Sequence, residues 1–114
     1  MTDEPTSDLT LLDVLTAAAE DLPGIEAGDG EGALHWSAHG VRFAALEGDR
    51  AEFRLDPLVA RAALRTPDTG PSTRGAEWVA FAPSALDDGA VDRAEAWFLS
   101  AHRHALKAGA TKPQ

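Results

Sequence analysis

Five arginines, Arg42, Arg54, Arg61, Arg65 and Arg74, with His35 a short way before the first of them, are the side chains of this chain best suited to chemistry. A guanidinium offers a planar fork of N–H donors that matches phosphate and carboxylate oxygens. Several of them on one surface would grip a nucleic-acid backbone or a small anion. The opposing expectation is a solvated face, on which the arginines pair with Glu47, Glu52 and Asp68 and only solubilise the fold.

The other reactive residue types offer less. Cysteine is absent, which removes thiol nucleophiles, thiolate metal sites and disulfides together. His102 and His104 are two apart on a predicted helix and point to different sides. His35 and His39 have no carboxylate at ligand spacing, so neither a metal site nor a cofactor is expected. Ser37, Ser84 and Ser100 have no histidine and aspartate placed to activate them, and the expectation is a protein without catalytic activity. Gly28-Asp29-Gly30-Glu31-Gly32 superficially resembles a phosphate loop. It lacks the strand before and the helix after, its two carboxylates would repel phosphate, and it reads as a flexible connector. Trp36, Trp78 and Trp97 fall within periodic apolar patterns and read as core anchors rather than base-stacking platforms.

The elements that must position these groups are legible around the arginines. Residues 34–37, 41–46 and 50–55 alternate sides and are separated by Ala38-His39-Gly40 and Glu47-Gly48-Asp49, the pattern of an antiparallel meander with one buried face. Val41, Phe43 and Ala45 should share the core face, as should Ala51, Phe53 and Leu55. Arg42, Glu52 and Arg54 then fall on the opposite face, with His35 beside them if Leu34 and Trp36 point inward. Asp56-Pro57 opens a short helix that carries Arg61 and Arg65 away from its apolar side. A first helix, capped by Ser7 and stopped by Pro23-Gly24, precedes the meander, and a glycine-rich loop over 26–32 joins the two. After a polar loop, Trp78-Val79-Ala80-Phe81 is a strand, with a weakly signalled partner around 72–74. Asp87 or Asp88 caps a last helix that ends at Gly109. The fold class is therefore α+β: helix, three-stranded antiparallel meander, helix, one or two strands, C-terminal helix.

A chain of 114 residues reads as one domain over 7–109, with disordered tails at 1–6 and 110–114. No apolar run approaches the roughly 18 residues of a membrane span, and the acidic, polar start is not a secretory signal, so a cytoplasmic location and no membrane partner are expected. The net charge of -9 is unevenly placed. Nine of the 19 acidic residues lie in 1–31, which holds no Lys or Arg, leaving ten against all ten basic residues in 32–114. A neutral body with one acidic side weakens a nucleic-acid reading without removing it.

Several motifs occur in a familiar order. The first helix closes in Leu22-Pro23-Gly24, and a strand reads Gly40-Val41-Arg42-Phe43-Ala44. Phe53-Arg54-Leu55-Asp56-Pro57 opens a helix, Trp78-Val79 follows a polar loop, and the last helix carries Glu95-Ala96-Trp97. Over residues 9–108 this order resembles the MmcQ/YjbR-like family of small bacterial proteins. The resemblance implies an α+β fold akin to type III secretion chaperones, and members are commonly labelled DNA-binding. Where the family usually has Gly-Lys ahead of the Phe-Ala pair, this chain has Val41 at the lysine position and Arg42 next, and strand alternation would carry that charge to the other face. Three roles follow as expectations. The chain is a weak, salt-sensitive DNA binder through its arginine face, a protein-interaction module (chaperone-like or dimeric) through its first and last helices, or a binder of a small anionic ligand.

Overall fold

The computed structural model describes residues 9–30 and 32–110. In chain order the elements are α1 (Leu11–Glu20), β1 (Ile25–Gly30), β2 (Ala33–Ala38), β3 (Val41–Glu47), β4 (Arg50–Arg54), α2 (Pro57–Ala63), β5 (Thr69–Ser72), β6 (Gly75–Phe81) and α3 (Asp88–Ala110). The fold is α+β: one antiparallel sheet of six strands in the order β1-β2-β3-β4-β6-β5, with three helices. α3 packs across β2, β3 and β4, and α1 packs on α3. α2 packs on β6 and shares a cleft with α3, so all three helices occupy one side of the sheet. The opposite side is the open face.

Local chemistry sets the helix starts. Thr10 caps α1 in a reciprocal box: its N–H donates to Asp13 Oδ2 at 3.1 Å, and Asp13 N–H donates to Thr10 Oγ1 at 3.2 Å. The cap expected at Ser7 and the tail expected at 1–6 lie outside the described residues, as do residues 111–114 of the tail expected at 110–114, whose first residue, Ala110, ends α3. Asp56 caps α2 by accepting from Leu58 N–H at 3.0 Å, with Pro57 at the first helical position. Asp87 Oδ1 accepts from Ala90 N–H at 2.9 Å at the start of α3, which runs to Ala110, one residue past the expected stop. β2 and β3 are joined by His39-Gly40, both with positive φ (53° and 77°), the mirror-image turn that suits the right-handed twist of a hairpin. His39 accepts this left-handed conformation at a cost of about 1 kcal/mol.

Two expectations need correction. Residues 26–32 were expected to be a flexible connector, yet Ile25–Gly30 form β1, paired with β2 from Ile25↔Ala38 to Gly30↔Ala33. As an edge strand it is exposed along most of its length and needs no apolar alternation, so periodicity gave no sign of it. The second concerns β3. Trp36 pairs with Ala44 but Ser37 pairs with Arg42, so Phe43 is an extra residue in a β-bulge. Ala44 and Leu46 therefore join Phe43 on the helix side, and Ala45 falls on the open face between His35 and Glu52.

The core lies between the sheet and α3. Phe98 of α3 meets Trp36 edge-on at 5.6 Å and Phe43 at 5.2 Å, while Trp97 meets Phe81 at 5.0 Å. Phe43, Phe53, Phe81 and Phe98 have no exposed surface. Phe98→Ala should therefore lower the unfolding free energy by about 3–5 kcal/mol, read from urea denaturation. A loss under about 1 kcal/mol would contradict its place at the centre of the core.

Candidate functional site

The register sorts the charged side chains by face. One rung crosses the whole sheet on the open side: Gly28, His35, Ala45, Glu52, Ala80 and Gly70, neighbour to neighbour. Four of these six side chains are small or absent, so the rung forms a low floor in which only His35 and Glu52 carry polar groups. Both are buried, at 5 % and 2 % exposure. The adjoining rung carries Ser37 and Arg42 on one half and Arg54 and Trp78 on the other.

Glu52 is the electrostatic centre of this face. Its carboxylate accepts hydrogen bonds from Arg74 Nε and, at 2.7 Å, from Ser72 Oγ, and Arg50 lies 3.6 Å away. Burial pushes the Glu52 carboxyl up, but the hydrogen bonds from Arg74 and Ser72 and the charges of Arg74 and Arg50 outweigh it, so its pKa is lowered overall. The Arg74 guanidinium also lies over the Trp78 ring at 5.7 Å, so one side chain neutralises a buried acid and covers an aromatic face.

The six expected site residues separate into two groups. Arg42, Arg74 and His35 come together on the open face; Arg54 leaves the sheet on that face by register, but its guanidinium is drawn away to the Glu77 carboxylate beside α3. Arg42 is exposed, has no ion-pair partner among the described residues, and lines a cleft of about 200 Å³ with Glu26, His35 and Ser37. Arg54 is tied to Glu77 at 3.2 Å, and Glu77 also lies 3.5 Å from His104 of α3. Arg61 and Arg65 are exposed but belong to α2 and its C-terminal end, on the helix side, and do not join the others. The compensating carboxylates are Glu47 and Glu52, as the solvated-face expectation had it, with Glu77 in place of Asp68.

Sequence reasoning missed two contributors, Arg50 and Trp78, and the depth at which Glu52 lies. Arg50 and Glu52 alternate in phase with Arg54, which marked their face but not the burial of Glu52. Trp78 was expected in the core, yet it sits an odd number of positions from Val79 and Phe81 and so on the open side, only partly buried, because the strand pleat turns it away. Trp36 and Trp97 do pack in the core.

On the helix side, the His102 ring lies edge-on to Phe43 at 5.6 Å and is 4 % exposed. Burial lowers its pKa, the Pro23 carbonyl opposes that shift, and Arg103 and His39 reinforce it. Among the described residues no group of three or more His, Cys, Asp or Glu side chains could hold a metal. Among the described residues no helix is long and apolar enough to cross a membrane. No known family model, curated protein or solved structure matches the chain.

Two stability predictions follow from the buried groups. Glu52 titrates lower when folded than when unfolded, so its contribution is full above about pH 4.5 and lost as the pH falls. Arg74→Met removes its main counter-charge and should cost about 2–4 kcal/mol, with the acid-unfolding midpoint by circular dichroism moving to higher pH. An unchanged midpoint would show that Arg74 does not hold the acid. His102 also titrates lower when folded, so its stabilising share is present above its ordinary value near 6.5 and declines below it. Thermal stability should fall between pH 7 and 5 by up to about 1.4 kcal/mol per pH unit, with a shallower slope in His102→Gln. Equal slopes would contradict a buried, neutral imidazole.

Proposed function

We propose that the protein is a binding module without catalytic activity and that its partner is another protein. The observation that carries this reading is the charge balance of the open face. Two of the arginines on it, Arg50 and Arg74, are already held by Glu47 or Glu52, and Arg54 is drawn off it to Glu77 beside α3. A nucleic-acid surface needs an excess of positive charge to displace counterions from the phosphates. A face of mixed sign with small residues at its centre suits a protein surface, where complementary charge patterns select the partner. The resemblance to MmcQ/YjbR-like proteins, and through them to secretion chaperones, is in keeping with a partner-binding role.

A second reading places single-stranded DNA on the same face. It is favoured by Trp78, partly exposed under the Arg74 guanidinium, with Arg42 unpaired in the same rung.

Two measurements test the proposal together. Selection from a random displayed-peptide library on the purified protein should enrich a sequence family whose free peptide binds in solution. Labelled single-stranded and duplex DNA should show no anisotropy change at about 50 mM salt with the protein near 100 µM. Failure of any peptide to enrich would overturn the protein-partner reading. DNA binding that weakens steeply with added salt would replace it by the second.

A further inference from the structure

We propose that β1 is a docking edge, at which an extended basic segment of a partner protein adds to the sheet as a seventh strand. This rests on the protein-partner reading and names the place and chemistry of the contact.

The two edges of the sheet differ. β5 has four residues, and one of them is Pro71, which lacks an N–H and blunts strand addition. β1 has six residues with no proline, is exposed from Glu26 to Asp29, and pairs only with β2. Half of its backbone N–H and C=O groups therefore point away from the sheet, free to ladder with an incoming strand.

Clefts flank this edge on both faces. On the helix side, Ile25, Ala27, Leu34 and Trp36 line a mainly apolar cleft of about 230 Å³ beneath the C-terminal half of α1. On the open side lies the polar cleft of about 200 Å³, whose rim toward the edge carries Glu26 and whose inner wall, two strands away on β3, carries Arg42. A strand beside β1 sends alternate side chains to opposite faces, so these clefts would receive them in turn. The recognised pattern is alternation of apolar and cationic residues.

Charge fixes the sign of the partner. Glu26 and Asp29 are exposed on β1, Glu20 borders the apolar cleft, Asp13 and Asp21 are exposed along and just after α1, and residues 9–30 hold no Lys or Arg. Lysines or arginines on the added strand would meet this field favourably. A second copy of β1 would bring like charges together, which disfavours a homodimer through this edge.

The test uses the intact chain and a seven-residue peptide, Lys-Val-Lys-Ile-Lys-Val-Lys, followed by anisotropy and by amide chemical shifts. Binding should perturb the amides of residues 25–30. It should weaken about tenfold or more in Glu26→Lys/Asp29→Lys, as attraction along the edge becomes repulsion, and stay unchanged in Asp49→Lys, whose side chain lies in the β3–β4 turn. A peptide N-methylated at alternate residues keeps its charge but cannot form the ladder, and should not bind. Equal binding of the methylated peptide, or of the charge-reversed protein, would overturn strand addition. Library-selected peptides whose shifts map away from β1 would overturn it too, while leaving the protein-partner reading standing. A dimer that light scattering finds dispersed by Glu26→Lys/Asp29→Lys would assign the edge to a second copy instead.

Discussion

One extra residue in β3 organises this molecule. The segment Phe43-Ala44-Ala45-Leu46 is continuously apolar, and a regular strand ending with Leu46 and Ala44 in the core would send Arg42 into the helices as well. The bulge at Phe43 resets the alternation. Phe43 enters the core against Phe98 and His102, and Arg42 emerges on the open face beside His35 and Ser37. Burying a guanidinium under α3 without a partner would cost several kcal/mol. The bulge is thus the local distortion that keeps both the core and the charged face consistent.

With that frame fixed, the two faces solve different problems. The helix face buries aromatic rings in edge-on and tilted contacts that draw on α3 and on four strands. The open face has no helix over it and yet buries a carboxylate, because Arg74, Ser72 and Arg50 surround Glu52 and replace its water. The same arrangement consumes arginines that would otherwise be available to a phosphate backbone. Stability of the β4–β6 region and neutrality of the open face have a common cause. Asp13, Glu20, Asp21, Glu26 and Asp29 lie on or between α1 and β1 with no Lys or Arg among them, near the β1 edge of the sheet.

Much of the fold was legible because its signals are local. The turn at His39-Gly40, the Asp56-Pro57 helix start and the alternation of Ala51, Phe53 and Leu55 each depend on a few neighbouring residues. β1 was not legible: Ile25-Glu26-Ala27-Gly28-Asp29-Gly30 is rich in glycine and acidic residues and lacks apolar alternation, and pairing with β2 makes it a strand. The bulge was hidden because Ala44 and Ala45 are equally small, so either could face the core. At the candidate site, the face of Arg42, Arg54 and Glu52 could be read from alternation. The pairings could not, since Arg74–Glu52 and Arg54–Glu77 join residues more than twenty positions apart. Arg61 and Arg65 looked equivalent to the others because a sequence gives no side of the sheet to the helix that follows it.

The position of Phe43 relative to its neighbours tests this account most directly. Interproton contacts measured by NMR on the folded chain should link the Phe43 ring to Phe98, and the Arg42 side chain to Ser37 and His35. Contacts from Arg42 to α3, with Phe43 found among the open-face side chains, would contradict the bulge and with it the division of charge between the two faces.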